Sequence, residues 1–370
     1  MNTAKDVAEH LYEYFAATGM LNASCGSSAY TDGGFTPASS EEATPSWQGD
    51  IAFASKAVQS VGYENLPLSS DEKPAVYVYV SKGVTKRDEK NEHEFEGFTV
   101  RYRRLTPLSV KPESSRYITN IPFLYCCPNG ELACGSSCAL STQNLAGTMG
   151  ALLKLDGDDK HLYVLSNNHV IGGCNHAEKD AIINVPAHID SQKFASLEVG
   201  KLSSIVSLES GNPDFVEACE VDAAIGRVTY PERVTSWQGT ISEGYDSPSQ
   251  VMPLMSGMKV KKFGRTTGLT FGTVEAQIVK CSKLAYTAKG FNATVYFKNF
   301  WLVLGEKDKP FAMEGDSGSL VVTEDGSATV GLLFAADNSR YGCIIPIQTV
   351  LDKLGGARIV TRHRIPNTSG

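Results

Sequence analysis

The feature that most constrains the fold is a series of short apolar segments that begins at about residue 117. Glycine, aspartate, asparagine and serine residues separate each segment from the next. Strands at this spacing, with no helical periodicity between them, are typical of an all-β barrel or sandwich. A closing helix is expected over 347–354, because Gly355 and Gly356 follow it. The predicted strands are 162–165, 221–228, 258–263, 273–279, 320–323 and 330–335.

The N-terminal third has a different pattern. Residues 3–17 predict an amphipathic helix whose first turn is closed by Thr3 and Asp6. Residues 21–47 are rich in small polar residues and indicate a flexible linker. A small α+β region of unknown role follows over 48–112, with a helix expected at 51–61 and strands expected at 75–80 and 98–102.

These patterns divide the chain into five predicted regions. They are an N-terminal helix (1–20), a linker (21–47), the α+β region (48–112), a β domain (117–356) and a C-terminal tail (357–370). The β domain is long enough for two barrels, which we expect to divide near 235–255.

Net charge and hydropathy exclude some classes of partner. The formal net charge is −7, whereas phosphate binding requires a basic face, so no nucleic-acid partner is expected. An anionic membrane surface is disfavoured for the same reason. No run of about 18 apolar residues is present, so no membrane-spanning helix is predicted.

The cysteines and the N-terminus together predict a cytoplasmic protein. Residues 1–19 lack the basic start and the uninterrupted apolar run of a secretory signal. Nine cysteines, an odd number, favour reduced thiols over a disulfide framework. Four of them, Cys126, Cys127, Cys134 and Cys138, could ligate zinc, but they lack paired Cys-x-x-Cys spacing, and buried free thiols are the preferred interpretation. No metal and no cofactor are expected.

The strongest chemical motif is Glu314-Gly-Asp-Ser-Gly-Ser319. A serine hydroxyl attacks a carbonyl only if a base removes its proton and donors stabilise the oxyanion. Gly315, two residues before Ser317, lets the backbone turn so that both N–H groups point the same way. A plain turn between strands is the alternative interpretation of this motif.

Two further residues have the chemistry that such a serine needs. His169 follows an apolar strand in Leu165-Ser-Asn-Asn-His-Val-Ile171, and Asp222 lies between apolar residues in Val221-Asp-Ala-Ala-Ile225. A buried aspartate must be hydrogen-bonded, and a histidine N–H is a suitable donor. The order His169, Asp222, Ser317 is that of the chymotrypsin type and differs from that of subtilisin and of the α/β-hydrolases.

These three motifs resemble the trypsin-like serine peptidases of the chymotrypsin fold. With Ala146-Gly-Thr-Met-Gly-Ala151 and Gly264-Arg-Thr-Thr-Gly268, residues of about 120–355 are similar to a group of intracellular bacterial peptidases, which plant narrow-leaf proteins also resemble. The resemblance implies a mainly β fold, a chymotrypsin-like double β-barrel preceded by the small α+β region, and a serine endopeptidase acting on a protein or peptide.

The resemblance also implies roles for individual residues. Ser317 would be the nucleophile, His169 the general base and then acid, and Asp222 the group that orients the imidazole. The N–H groups of Gly315 and Ser317 would form the oxyanion hole. The strand over 332–336 would align the substrate backbone by β-augmentation. The substrate-binding residues expected on this basis are Phe311, Ala312, Leu332, Leu333, Phe334, Ala335 and Ala336.

Departures from the family leave alternatives open. Phe311 stands where trypsin has an aspartate, so cleavage after Lys or Arg is not expected, and an apolar or small P1 residue is preferred. No activation sequence precedes the β domain, so we do not expect Asp316 to pair with a new N-terminus. Activity would then be constitutive, or switched by residues 1–112 or by a regulatory protein partner. The alternative function is a catalytically silent protease fold that serves as a binding or scaffold module.

Overall fold

The structure is a computed structural model that describes residues 3–22, 58–67, 69–110, 130–191, 196–211, 216–288 and 291–366. The predicted linker 21–47 falls almost entirely outside these residues, as do Cys126 and Cys127. In the described part of the chain, no helix is long and apolar enough to cross a membrane.

The N-terminal helix has the predicted bounds and cap. Helix α1 spans Ala4–Ala17, the Thr3 side chain accepts from the Asp6 backbone, and the Asp6 side chain accepts from Thr3. Val7, Leu11 and Phe15 are buried on one face against the valines of β2. The capping box and the apolar stripe therefore fix both the start and the orientation of this helix.

The helix expected at 51–61 is wrong for residues 58–61, the part of it that the structure describes. Residues Val58–Tyr63 form strand β1, which pairs with residues 76–80 and, at its end, with Gln277 and Ile278. Two β-branched residues, Val58 and Val61, are completely buried in this strand, where their stiff side chains pack better than in a helix. The other strands of the region are β2 (Val76–Val80), β3 (Glu92–Phe95), β4 (Phe98–Arg104) and β5 (Ser109–Val110).

An eight-stranded antiparallel sheet follows. Its order is β24-β9-β10-β13-β12-β11-β7-β8. Strands β8 and β9 lie near opposite ends of that order, yet only Met149 and Gly150 separate them in the chain, so the sheet curls round into a barrel. The strands are β7 (Ser137–Leu140), β8 (Gly147–Thr148), β9 (Ala151–Leu155), β10 (Asp158–Ser166), β11 (Ile182–Val185), β12 (Leu197–Ile205), β13 (Ala224–Val228) and β24 (Arg358–Ile359).

A second barrel is closed by its pairing. The ring β16-β17-β20-β23-β22-β21 returns to β16, and every pair is antiparallel. Aliphatic and aromatic side chains fill its interior. The strands are β16 (Lys259–Gly264), β17 (Gly268–Ile278), β20 (Trp301–Gly305), β21 (Leu320–Thr323), β22 (Thr329–Ala336) and β23 (Tyr341–Pro346). The chain is thus mainly β with barrel-forming sheets, as predicted.

Smaller elements complete the structure. Residues Gly264 to Gly268 form the hairpin turn between β16 and β17. Helix α2 (Ile347–Lys353) agrees with the expected closing helix. Strands β18 (Cys281–Ala288) and β19 (Phe291–Lys298) form a hairpin that extends the second sheet. Strands β6 (Leu132–Cys134), β14 (Val234–Gln238) and β15 (Tyr245–Asp246) form a separate small sheet.

Strands of the predicted α+β region belong to the same sheet as the second barrel. Strand β1 pairs with β17, and β5 pairs with both β18 and β22. The largest apolar cluster joins side chains from these strands to side chains of both barrels. The candidate site lies beside this shared cluster.

Candidate active site

His169 is held in a short π-helical turn that follows β10. The turn spans Asn168–Gly172 and ends at Gly173, whose φ is +59°. The Asn167 side chain donates to the Asp222 carbonyl oxygen over 2.6 Å, and the Asn168 side chain donates to the Val206 carbonyl over 2.8 Å. The two asparagines before the histidine therefore fix its turn to the neighbouring strands. The sequence motif alone does not indicate this role of the asparagines.

The imidazole of His169 and the carboxylate of Asp222 form a buried pair. His169 Nδ1 lies 2.5 Å from Asp222 Oδ2, and the His169 backbone N–H donates to Oδ1 over 3.2 Å. The exposed fraction of either side chain is at most 1%. With a proton on Nδ1 donated to the carboxylate, Nε2 has a free lone pair and can accept a proton.

Tyr286 is a third member of this group that the sequence did not indicate. Its hydroxyl, on β18, donates to Asp222 Oδ2 over 2.9 Å. Its ring meets the His169 ring edge to face at 5.8 Å between centroids. Burial, and next the negative charge of Asp222, raise the pKa of Tyr286 well above its usual range, so the hydroxyl stays a donor. Asp222 is therefore held both by His169, which follows β10, and by Tyr286 on β18.

Ser317 lies in a tight loop between two glycines with positive φ. Gly315 has φ +93° and Gly318 has φ +97°, a region that only glycine adopts without strain. A Cβ on either glycine would overlap neighbouring atoms, Thr266 Oγ1 and Thr148 O respectively. Ser317 is 8% exposed. The backbone N–H groups of Gly315 and Ser317 donate to no residue in the described part of the chain, so both are available to an oxyanion.

The carboxylate of Asp316 fixes the loop that carries Ser317 through several buried hydrogen bonds. Lys262 Nζ lies 3.2 Å from Asp316 Oδ2, and both side chains are completely buried. The backbone N–H groups of Thr266 and Thr267 donate to Oδ1 over 2.8 and 3.0 Å, and the Thr267 hydroxyl donates to Oδ2 over 2.7 Å. Burial lowers the pKa of Lys262, and Asp316 opposes that shift. The hairpin turn therefore also serves as a cradle for Asp316, and Lys262 is its counter-ion.

Strand β8 joins the serine loop to the histidine turn. The Thr148 N–H donates to the Ser317 carbonyl over 2.8 Å, and its hydroxyl donates to the Gly315 carbonyl over 2.9 Å. A Cβ on Gly147 would collide with Val170, the residue after His169, and would lie 3.1 Å from the Ser317 carbonyl oxygen. The structure thus brings Ser317 beside the turn that carries His169.

The serine hydroxyl and the imidazole are not hydrogen-bonded to each other in this conformation. Ser317 Oγ donates to the Phe334 carbonyl over 3.3 Å. His169 Nε2 is buried and has no hydrogen-bond partner among the described residues. A rotation of the Ser317 side chain away from Phe334 would be needed to join them.

Five of the predicted substrate-binding residues lie on β22, over 332–336, and the other two, Phe311 and Ala312, precede the serine loop. Phe311, Ala312, Leu333 and Ala336 pack inside the second barrel, and Phe311 is completely buried. Leu332, Phe334 and Ala335 face the shared cluster that contains Tyr286. Phe311 and Ala312 therefore supply an uncharged wall behind the strand.

The cysteines lie outside the site chemistry. Cys134, Cys138, Cys174, Cys219 and Cys343 are free and buried, which agrees with the expectation for the described thiols. Burial raises the pKa of Cys138 and Cys174 to about 12. Cys281 is disulfide-bonded, so the expectation of reduced thiols is wrong at this position. No group of His, Cys, Asp and Glu in the described residues could hold a metal ion.

Comparison with known sequences gives two matches. The model of the Nal1 C-terminal domain matches residues 239–345. Protein NARROW LEAF 1 of Oryza sativa subsp. japonica is 26% identical over 224 residues, which cover 56% of this chain. The match spans only 37% of the rice protein's length.

Comparison with solved structures gives distant matches to bacterial serine proteases. A glutamic-acid-specific serine protease has 17% identity and a TM-score of 0.42, with 62% of this chain and 100% of that chain covered. Thermobifida fusca Protease A has 16% identity and a TM-score of 0.42, with coverage of 62% and 99%. The Rv3671c protease of M. tuberculosis has 16% identity and a TM-score of 0.34, with coverage of 68% and 90%. The fold assignment rests on the strand pairing of this chain, and the finer resemblance to intracellular bacterial peptidases stays a prediction.

Proposed function

We propose that this protein is a serine endopeptidase that cleaves a protein or peptide through an acyl-enzyme on Ser317. The buried His169–Asp222 pair carries the proposal, because its free Nε2 faces no other partner among the described residues. Such a pair has a chemical use where a hydroxyl nucleophile lies beside it. Gly147 lies against both Val170, the residue after His169, and the Ser317 backbone, so Ser317 is a neighbour of the histidine turn.

In the proposed reaction, His169 Nε2 takes the Ser317 hydroxyl proton as Oγ bonds to the substrate carbonyl carbon. The oxyanion accepts from the N–H groups of Gly315 and Ser317. The imidazolium gives its proton to the leaving nitrogen, the C–N bond breaks, and the amine departs. Water then attacks the acyl-enzyme with the same base, which releases the acid and restores the Ser317 hydroxyl.

The uncharged wall behind β22 supports an apolar or small P1 residue. Phe311 and Ala312 are fully buried and present no carboxylate that would pair with Lys or Arg. We therefore propose that basic P1 residues are poor substrates.

A scaffold function is the second candidate. The Ser317 hydroxyl bonds to the Phe334 carbonyl instead of the imidazole, which is the arrangement expected of a silent site. The two candidates differ in whether Ser317 reacts.

A fluorophosphonate probe separates them. We expect the wild type to be labelled on Ser317 and to cleave unfolded polypeptides, and Ser317→Ala to do neither. Ser242→Ala, at an exposed serine on another surface, should behave like the wild type. A folded wild type that neither reacts with the probe nor cleaves polypeptide would favour the scaffold.

A further inference from the structure

The edge of β22 that would align a substrate is already occupied by the chain itself. Ala336 pairs antiparallel with Ser109 of β5. On its other side, β5 pairs parallel with β18, Ser109 with Ala285 and Val110 with Tyr286. Strand β5 therefore fills a slot between two strands, each of which offers backbone partners to an extended peptide.

This slot is continuous with the catalytic residues. Phe334, whose carbonyl accepts from the Ser317 hydroxyl, lies two residues before Ala336 on β22. Tyr286, which borders the slot on β18, donates to Asp222. A peptide in the slot would therefore run past both the nucleophile and the His169–Asp222 pair.

The occupying segment, residues 105–110, is anchored as well as paired. We call it the strap. The Leu105 N–H donates to the Val80 carbonyl over 2.9 Å, and the Thr106 hydroxyl donates to the Asp337 carbonyl over 2.6 Å. Pro107 favours extended backbone at the residue before it. Leu108 and Val110 are 6% and 2% exposed, whereas Ser109 between them is only partly buried.

The alternation of buried and partly buried residues along the strap indicates which side chains the slot accepts. In an extended strand, residues two apart point to the same face, so Leu108 and Val110 enter the shared apolar cluster while Ser109 faces away. Both belong to the apolar cluster that also contains Phe334, Ala335 and Tyr286. The slot thus fits an extended peptide with aliphatic side chains at alternate positions.

The site is closed while the slot is occupied. The His169 side chain is 1% exposed and Ser317 is 8% exposed. An extended substrate cannot pair with the Ala336 edge while Ser109 holds it, since a strand edge has one set of backbone partners.

We propose that the strap is a built-in substrate mimic. It holds the peptide slot between β18 and β22 until an extended peptide with alternate aliphatic residues displaces it. The regulatory part of this proposal rests on the proposed endopeptidase function, whereas the slot itself does not.

Peptide binding tests the slot without any catalysis. In a Ser317→Ala background, Ser109→Pro removes a backbone donor and Val110→Asp places a charge in the apolar lining, so either change should release the strap. A fluorescent peptide of residues 104–110, Arg-Leu-Thr-Pro-Leu-Ser-Val, should then bind at least tenfold more tightly than it binds to Ser317→Ala alone. The same peptide with aspartate at its Leu108 and Val110 positions should not bind.

A matched control separates release of the strap from general loosening. Val84→Asp places a charge at another buried valine, in the cluster under α1, and should leave peptide binding unchanged. Thermal unfolding of each variant identifies those that fold. Two variants with different mechanisms, Ser109→Pro and Val110→Asp, keep the test decisive if one of them does not fold.

Activity provides the second readout. With Ser317 intact, Ser109→Pro should raise kcat/KM for an unfolded polypeptide at least tenfold, and the peptide of residues 104–110 should inhibit it competitively. Absence of peptide binding to both released variants would overturn the substrate-mimic proposal, even if they cleave polypeptide. Peptide binding without phosphonate labelling or cleavage would instead overturn the endopeptidase function and leave the slot in place.

Discussion

The two halves of the site each bury one aspartate, and the two carboxylates have different partners. Asp222 accepts from an imidazole and a phenol, neither of which is a permanent cation. Asp316 accepts from the Lys262 ammonium and from the Thr266 and Thr267 backbone. The charge of Asp316 is therefore balanced at rest, whereas Asp222 gains a full counter-charge only when His169 becomes protonated.

Under the proposed function, this difference separates a carboxylate that takes part in the reaction from a structural one. A carboxylate that faces an imidazole stabilises a charge that develops during the reaction. A carboxylate paired with a buried ammonium fixes the loop that carries the nucleophile, and it becomes costly when the partner is removed. Variants of the two groups should consequently fail in different ways, one in rate and the other in stability.

The largest effect on rate is expected at Asp222. Asp222→Asn keeps the shape but makes the wrong imidazole tautomer favourable, and should lower kcat for peptide hydrolysis by about 10⁴-fold. The free energy of unfolding of Asp222→Asn should change much less than the activation free energy does. Asp158→Asn, at a surface aspartate on β10, serves as the control in the same kinetic assay. A rate within tenfold of the wild type for Asp222→Asn would remove Asp222 from the reaction.

The largest effect on stability is expected at the buried pair of Lys262 and Asp316. Lys262→Met leaves Asp316 buried without its cation and should lower the free energy of unfolding by about 3–5 kcal/mol, measured with denaturant. Adding Asp316→Asn should recover much of that loss. Lys259→Met is the matched control on the same strand, because its pair with Glu306 is largely exposed and contributes about 0–1 kcal/mol. Equal stability of the two single variants would contradict the structural role.

A smaller effect on rate is expected at Tyr286, which lies in the shared apolar cluster. Tyr286→Phe keeps the ring and removes one hydrogen bond to Asp222, which should lower kcat/KM by about tenfold. Tyr163→Phe, which removes a similar bond to Asp158, should leave kcat/KM unchanged. An unchanged kcat/KM in Tyr286→Phe would leave the tyrosine a packing role only.

The sequence allowed prediction of features that are local or marked by unusual residues. Turn residues between apolar runs located two strands of the first barrel, β10 and β13, and four of the second, β16, β17, β21 and β22. Thr3 and Asp6 predicted the start of α1. The order of His169, Asp222 and Ser317 indicated a joint site because each residue type is suited to one step of a single reaction.

Features that depend on distant partners could not be predicted in this way. Lys262 is one of three lysines in the segment 258–263, and nothing near it indicates that its ammonium meets Asp316. Residues 58–61 are expected in a helix, but they pair with β2, and the two residues that follow them pair with Ile278 and Gln277 of β17, far along the chain. The insertion of β5 between β18 and β22 joins three separated segments. No local pattern specifies such a pairing.

The central claim is that an imidazole, a carboxylate and a hydroxyl act as one unit at the junction of the two barrels. Phosphonate labelling followed by peptide mapping tests it most directly, in the wild type and in Ser109→Pro. The account predicts a single adduct per chain, on Ser317, that is lost in Ser317→Ala and strongly slowed in His169→Ala. No adduct on Ser317 in either folded protein, or labelling at the same rate without His169, would contradict it.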